Sequence, residues 1–197
     1  MAKLIGISGA KFAGKTEVAN ILRDQLNGAM ILNLPEPIYH ACMAIFGWSY
    51  EQCTDPVLRE QIDERYGVSP RYAQQTLGTE WGRNIIHGEL WLIRADDVLA
   101  TIEENMSINF AIVPNIRFYN EALWIRRNGG IVFNVHRNGY ELDHSHGSEV
   151  GIPAELIDAH IHNMNYASDW REILADEVDN MLELFLSETL PHRQENK

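Results

Sequence analysis

The stretch Gly9–Thr16 reads GAKFAGKT and follows a short apolar run, Leu4–Ser8. Behind it, apolar residues recur at helical spacing between Thr16 and Leu26, which predicts an α-helix. The stretch matches the pattern G-x-x-x-x-G-K-[ST], whose glycines let the backbone curl around a phosphate group between a strand and a helix. Because strand, loop and helix occur in that order, the sequence predicts a nucleotide-binding phosphate loop.

The residue types within this loop suit the phosphates of a nucleoside triphosphate. We expect Lys15 to bridge the β- and γ-phosphates and Thr16 to supply a hydroxyl ligand to Mg²⁺. Gly9, Ala13 and Gly14 are expected to bring backbone N–H groups to the phosphates. A glycine-rich turn without chemistry is the alternative interpretation, and it is disfavoured because every motif position and both flanking elements agree.

Beyond the loop, short apolar runs alternate with helical patterns, and Ser69-Pro70 has the form of a helix start. Strands are predicted at Leu4–Ser8, Ala29–Leu34, Phe110–Val113, Ile131–Val135 and Ile157–Ile161, and helices at Thr16–Leu26, Pro37–Phe46, Tyr72–Ile86, Leu90–Ile102, Phe118–Asn128 and Asp169–Phe185. This alternation favours an α/β fold with a five-stranded, mainly parallel sheet flanked by helices.

Two stretches depart from simple periodicity. Gly78 and Gly82 lie inside a helical pattern, where glycine is costly, so a close packing contact or a break is expected there. The stretch Trp48–Tyr66 is polar with weak periodicity and predicts a mobile insertion or short helices over a cleft.

Length and composition favour one folded domain over residues 1–197. Hydrophobic residues make up 45% and charged residues 22% of the chain, which argues against a disordered, collagen-like or coiled-coil protein. The net charge of -12 argues against a broad basic surface for nucleic acid or anionic membrane. It leaves room for a local phosphate site built from a few cations and backbone N–H groups.

The chain has two cysteines, Cys42 and Cys53, too few for a disulfide scaffold, so reduced thiols in a cytoplasm are expected. We recognise neither a signal peptide nor an apolar stretch approaching the roughly 20 residues that span a bilayer. The sequence therefore predicts a cytoplasmic protein.

Arginine suits the transfer of phosphate between two phosphorylated molecules, because its planar fork grips phosphate through two hydrogen bonds. The candidates are Arg71, Arg83, Arg117, Arg126, Arg127 and Arg137. Arg117 follows a predicted strand at its carboxyl end, where ligands bind in open α/β sheets, and is the best placed of them.

Four stretches together resemble the bacteriophage deoxynucleoside monophosphate kinases, which belong to the P-loop nucleoside monophosphate kinases. The stretches are the phosphate loop with its internal Lys11; Ser69-Pro70-Arg71 leading to Gln75–Thr79, Arg83 and Trp91; Ile116–Glu121; and His146–Glu149 followed by Asp158 and Asn163. The resemblance spans nearly the whole chain. It implies transfer of the γ-phosphate of ATP, with Mg²⁺, to a deoxynucleoside 5′-monophosphate.

The resemblance also implies roles for matching positions. It places an acceptor-binding helical region at about 35–107, a lid-like segment at about 137–152 and a catalytic role on Lys15 and Arg117. The donor-binding positions are Gly9, Ala13, Gly14, Lys15, Thr16 and Arg137, and the acceptor-binding positions are Lys11, Arg71, Gln75, Gly78, Thr79, Arg83, Trp91, Asn115 and Glu121. The partners are small nucleotides, and the resemblance allows a homodimer. A phage-encoded chain would act in the host cytoplasm.

Two positions depart from the related kinases. Asn115 stands where these often have an aspartate that holds a Mg²⁺-bound water, and Tyr39 and His40 stand where they place a lysine near the acceptor. The first change leaves metal binding more to Thr16 and the nucleotide phosphates, or to another carboxylate that takes the place of the aspartate. The second change affects substrate preference. Glu36 lies close by and either approaches the acceptor or complements a helix N-terminus.

Other functions remain open on the sequence. A kinase of another small metabolite, similar to dephospho-coenzyme A kinase, could use the same scaffold. Asn115 favours a second alternative, a nucleotide-dependent binding protein that hydrolyses its nucleotide only weakly. His136, His144 and His146 are close in sequence, but too few further ligands accompany them to favour a metal site.

Overall fold

The computed structural model describes residues 2–105, 108–140, 151–164 and 169–189. The chain forms two compact units, a sheet unit of residues 1–32 and 102–197 and a helical unit, Asn33–Thr101. Most of the predicted lid-like segment, including His144, His146, Ser148 and Glu149, lies outside the described residues.

The strands and helices alternate as the sequence predicts. The strands are β1 (Lys3–Gly9), β2 (Ala29–Ile31), β3 (Phe110–Pro114), β4 (Ile131–His136) and β5 (Ala159–His162), and the α-helices are α1 (Lys15–Gln25), α2 (Glu36–Phe46), α3 (Tyr50–Thr54), α4 (Pro70–Gln75), α5 (Leu90–Asn105), α6 (Tyr119–Arg127) and α7 (Trp170–Thr189). A π-helix, Thr76–Ile86, continues α4, and short 3₁₀ turns occupy Leu58–Glu60 and Ala154–Leu156.

The five strands form one sheet in the order β2-β3-β1-β4-β5, and every described pairing is parallel. Ile5 of β1 lies between Ile112 of β3 and Ile131 of β4. The predicted five-stranded parallel sheet is thus confirmed. Because β1 is central, the phosphate loop that follows it emerges between the carboxyl ends of β3 and β4.

Apolar side chains cover both faces of the sheet. On one face, Phe133 and Ile161 belong to a buried cluster with Leu22 of α1 and Leu174 of α7. On the other face α6 comes close, since a side chain on Gly6 would lie 3.1 Å from Ile125 Cγ1. Burial on both faces explains why the strands are short apolar runs without polar alternation.

Several element ends differ from the prediction. β2 ends at Ile31 instead of Leu34, because the turn from Asn33 to Glu36 leads directly into α2. β5 begins at Ala159, two residues later than predicted, and α7 extends to Thr189. Such ends depend on neighbouring segments more than on the local pattern.

The helical unit has its own small core, formed by Ile38, Cys42, Trp48, Cys53 and Ala73. Trp48 is buried, and its indole N–H donates to Asp63 Oδ2 at 2.7 Å. Between Trp48 and Tyr66 the chain forms α3 and a 3₁₀ turn, so the expectation of short helices there is confirmed.

The helix start at Ser69-Pro70 is also confirmed. The Ser69 hydroxyl accepts a hydrogen bond from the Tyr72 backbone N–H at 3.2 Å, and Pro70 occupies the first helical position, where its missing N–H has no cost. The α-helix then widens into the π-helix at Thr76.

Both glycines of the π-helix lie against a side chain, as expected from their cost in a helix. A Cβ on Gly78 would lie 2.9 Å from Ile38 Cδ1, and one on Gly82 would lie 2.7 Å from Trp91 Cζ2. The Trp91 indole N–H also donates to the Gly78 carbonyl at 2.8 Å. Close approach of Trp91 to the helix backbone therefore requires glycine at position 82.

The Gly82→Ala substitution should destabilise the protein by about 1–3 kcal/mol, because the added methyl group would overlap the Trp91 ring. Gly88→Ala is the matched control, since a Cβ on Gly88 meets nothing within 4 Å, and it should change stability by less than about 0.5 kcal/mol. Urea unfolding of both variants measures the difference. Equal stability of the two variants would contradict the packing role of Gly82.

Candidate functional site

The loop between β1 and α1 depends on glycine at its two ends. Gly9 ends β1 with φ +137° and Gly14 caps α1 with φ +103°, a region that side chains disfavour. A Cβ on Gly9 would also collide with the Val135 carbonyl oxygen. The predicted strand–loop–helix arrangement is confirmed, and it leaves the first N–H groups of α1 facing the loop without helical partners.

Lys15 lies inside this loop. Its side chain is 8% exposed, and its ammonium donates to the carbonyls of Gly9 at 2.9 Å and Ala10 at 2.6 Å. The two bonds hold a positive charge beside the N-terminus of α1, which itself carries a partial positive charge. This combination attracts an anion.

Thr16, Lys11 and Phe12 are exposed around the buried lysine. Thr16 lies in the first turn of α1. Phe12 has φ +65°, and the Lys11 ammonium lies 5.1 Å from the centre of its ring. The loop therefore presents a hydroxyl, an ammonium and an aromatic ring to solvent.

Arg137 follows β4 and reaches the phosphate loop. Its Nη1 donates to the Phe12 carbonyl at 3.1 Å, and its guanidinium carbon lies 4.5 Å from the centre of the Tyr140 ring. The Phe12 and Tyr140 rings meet edge to face at 6.2 Å. The structure thus brings Arg137 to the loop that it is predicted to serve.

A tight turn after β3 carries Asn115 and Arg117. Asn115 has φ +63°, a conformation that asparagine adopts more readily than most residues. The buried Glu121 carboxylate accepts hydrogen bonds from the backbone N–H groups of Arg117 at 2.6 Å and Phe118 at 3.1 Å. Glu121 therefore shapes the turn that holds Arg117, and its predicted substrate contact stays a prediction.

The remaining acceptor positions lie in the helical unit. Arg71, Gln75, Thr79 and Arg83 recur every four residues along α4 and the π-helix, and all four are half-buried. Residues at this spacing share one side of a helix. Arg71 Nε lies 3.5 Å from Glu60 Oε1.

A polar cluster at the start of α2 was not predicted as a unit. Glu36 accepts hydrogen bonds from the Asn33 amide at 3.1 Å and the Tyr50 hydroxyl at 3.2 Å, and His40 Nε2 lies 3.3 Å from its other oxygen. Burial, and then the Glu36 charge, raise the pKa of Tyr50. Tyr50 was missed because its segment has weak periodicity.

Three histidines meet at the carboxyl ends of β4 and β5. His136 Nε2 lies 2.8 Å from His160 Nδ1, and the His136 and His162 rings stack with centres 5.5 Å apart. Burial, followed by the two neighbouring histidines, lowers the pKa of His136. Among the described residues, no group of three His, Cys, Asp or Glu side chains is arranged to hold a metal ion.

A family model described as deoxynucleotide monophosphate kinase matches residues 48–173, well over half of the chain. The match covers most of the helical unit and the segment from β3 to β5. The chain belongs to the deoxynucleotide monophosphate kinase family. The resemblance drawn from four sequence stretches is therefore confirmed.

Two relatives of this deoxynucleotide monophosphate kinase family member are viral. A protein of Acanthamoeba polyphaga mimivirus named "Putative deoxynucleotide monophosphate kinase" is 28% identical over 167 residues, covering 76% of this chain and 81% of the relative. The deoxynucleoside-5′-monophosphate kinase of Escherichia phage T5 is 31% identical over 97 residues, covering 46% of this chain and 37% of the phage protein.

Among solved structures, the dephospho-CoA kinase of Campylobacter jejuni is 15% identical, with a TM-score of 0.46 over 96% of this chain and 100% of that chain. A likeness this distant does not support a dephospho-coenzyme A substrate. In the described part of this family member, none of the helices is long and apolar enough to cross a membrane.

Replacement of Glu121 tests its role in the turn that holds Arg117. Glu121→Ala should destabilise this family member by about 1–3 kcal/mol, because two part-buried backbone N–H groups lose their acceptor. Glu121→Gln keeps a side-chain oxygen that can accept these bonds, so it should lose less stability than Glu121→Ala. Urea unfolding measures the stability of both variants. If Glu121→Gln lost as much stability as Glu121→Ala, Glu121 would not hold the turn through these hydrogen bonds.

Proposed function

We propose that this family member transfers the γ-phosphoryl group of ATP to a deoxynucleoside 5′-monophosphate. An oxygen of the acceptor phosphate attacks the γ-phosphorus, the bond to the β-phosphate oxygen breaks, and ADP leaves with the electron pair. The products are a deoxynucleoside diphosphate and ADP, and no covalent enzyme intermediate is needed. The observation that carries the proposal is Lys15, held inside a glycine-bounded loop of a chain that belongs to this family.

The donor half of the proposal rests on the phosphate loop. Lys15 would leave the Gly9 and Ala10 carbonyls for the β- and γ-phosphates, and its charge would offset the charge that builds on the leaving oxygen. Ala13 and Gly14 contribute backbone to the same loop. Lys11 is proposed to reach the acceptor phosphate.

The Thr16 hydroxyl fits Mg²⁺, because it is an exposed oxygen in the first turn of α1, and Mg²⁺ in kinases takes few protein ligands beside phosphate oxygens. The ion, when bound, neutralises charge on the β- and γ-phosphates. Asn115 offers an amide oxygen in place of a carboxylate, so we assign the protein ligand to Thr16.

Arg137 is proposed to bind the donor, because its guanidinium already lies on the loop through the Phe12 carbonyl. A guanidinium has five N–H donors, so one bond to the loop leaves others for phosphate. Packing on the Tyr140 ring fixes the orientation of the Arg137 guanidinium. The lid-like segment at about 137–152 begins at this arginine and is proposed to cover ATP, which excludes water from the reaction.

Arg117 is proposed as the catalytic arginine. Its backbone is held by Glu121 at the carboxyl end of β3, the strand beside β1 in the sheet. A guanidinium at this edge can stabilise the oxygens of the transferring phosphoryl group. Asn115 and Glu121 are also proposed to bind the acceptor.

The acceptor half rests on the helical unit, within a binding region at about 35–107. Arg71 and Arg83 are proposed to bind the acceptor phosphate, and Gln75 and Thr79 to hydrogen bond the nucleotide between them. The Trp91 ring suits stacking on a base. Gly78 is proposed as part of the same binding region, because its carbonyl accepts a hydrogen bond from the Trp91 indole N–H.

We further propose small nucleotides as the partners, rather than nucleic acid, because the net charge is -12. A cytoplasmic location, in the host for a phage-encoded chain, suits the free buried cysteines. Burial raises the pKa of Cys42 to about 11, which keeps that thiol protonated and unreactive. The family resemblance also leaves room for a homodimer.

A panel of deoxynucleoside monophosphates with ATP and Mg²⁺ tests the activity. At least one acceptor should give its diphosphate, and Lys15→Ala should lower kcat by at least about 100-fold with the fold intact, because the charge at the leaving oxygen is lost. Chromatography of the products and circular dichroism measure the two effects. Absence of any diphosphate at high enzyme concentration would refute the kinase, and near-normal turnover of Lys15→Ala would refute the donor site.

Arg71 and Arg94 form a matched pair that tests the acceptor assignment. Arg71→Ala should raise the acceptor KM or lower kcat/KM by about tenfold or more, as expected for a lost charged contact to phosphate. Arg94, whose side chain is 53% exposed beside Asp97, should tolerate Ala without a kinetic change. Steady-state kinetics with each substrate varied measure both, and an effect of Arg71→Ala confined to ATP would overturn the assignment.

A further inference from the structure

We propose that Asn163 is the positioning residue of the phosphate loop. From the carboxyl end of β5, its side chain holds the Ala13 carbonyl and thereby directs the Gly14 N–H toward a bound phosphate. This inference rests on the proposed function, because it assigns the residue that shapes the donor-phosphate site.

Asn163 makes two hydrogen bonds, one to the end of β4 and one to the phosphate loop. Its backbone N–H donates to the His136 carbonyl at 2.8 Å, which fixes the residue to the end of β4. Its side-chain Nδ2 donates to the Ala13 carbonyl at 2.9 Å. Asn163 is 3% exposed and Ala13 is fully buried, so water does not compete for the second bond.

The Ala13 carbonyl fixes the orientation of the Asn163 side-chain amide. A carbonyl oxygen accepts and cannot donate, so the NH₂ group of Asn163 must face Ala13. The other amide atom, Oδ1, is buried without a hydrogen-bond partner among the described residues. An unpaired buried acceptor destabilises a fold, so packing alone does not explain an asparagine here.

Gly14 shows how close this contact is. A Cβ on Gly14 would collide with the Asn163 amide nitrogen, and Gly14 also has φ +103°. The second glycine of the motif is therefore required twice, once for its backbone conformation and once for the approach of Asn163.

The planar peptide links the Ala13 carbonyl to the phosphate site. The Ala13 C=O and the Gly14 N–H belong to one trans peptide unit, in which they point in opposite directions. When Asn163 holds the carbonyl on one side, the N–H is directed to the other. Within the described residues this N–H donates to no protein acceptor, so it is available to a phosphate at the N-terminus of α1.

The proposal predicts a defect specific to phosphate. In Asn163→Ala, the Kd of ATP should rise about tenfold, as for one lost hydrogen bond to a charged group, and the Kd of inorganic tripolyphosphate should rise by the same factor. Titration calorimetry measures both. In the kinase assay the ATP KM should rise while the acceptor KM stays unchanged.

Asp158→Ala is the matched control at the opposite end of β5. The Asp158 carboxylate accepts from the Val132 N–H at 2.8 Å and pairs with Arg126, so its loss should lower the melting temperature without changing either Kd. If Asn163→Ala does not fold, Asn163→Ser serves instead, because its hydroxyl is one bond too short to reach the Ala13 carbonyl.

Three outcomes would overturn the proposal. The first is an unchanged Kd of ATP and tripolyphosphate in the Asn163 variant, and the second is an equal rise of these Kd values in Asp158→Ala. The third is weaker binding of ATP with unchanged binding of tripolyphosphate, which would mean that the substitution acts on the nucleoside part of ATP and not on its phosphates. Because both probes are measured at equilibrium, the test holds even if the wild-type protein transfers no phosphate, so its failure is distinct from failure of the proposed function.

Discussion

The buried ammonium of Lys15 is the constraint on which the phosphate site depends. A charged group leaves water only where other polar groups replace its hydration, and here the Gly9 and Ala10 carbonyls do so. The backbone can turn them inward because Gly9 and Gly14 take left-handed conformations. One short turn thus combines a fixed cation with a helix N-terminus, which is the electrostatic requirement of an anion site.

The strand order then determines what surrounds that turn. Because β3 and β4 lie on either side of β1, the turn holding Arg117 and the segment holding Arg137 both start at the same edge of the sheet. The chain carries a net charge of -12, yet its phosphate loop has Lys11 and Lys15 in the loop itself and Arg137 bonded to it. Local placement of a few cations therefore makes this loop positive although the chain as a whole is acidic.

Much of the fold could be predicted because its signals are local. The Ser69-Pro70 helix start follows from the chemistry of those residues alone, and the cost of glycine in a helix correctly predicted a close contact at Gly82. The π-helix at Thr76–Ile86 was not predicted, because a periodicity argument assumes the α-helical repeat of about 3.6 residues and does not contain a wider turn.

The sequence by itself determined the strand–loop–helix around Gly9–Thr16, the parallel α/β class and the family, since each depends on residue types at short or ordered spacing. Only the tertiary structure decided that Glu121 holds the Arg117 turn and that Asn163, 150 residues away in sequence, meets Ala13. Contacts of this kind depend on strand order and on the burial of whole faces. Both are collective properties of the packed chain, and no local pattern encodes them.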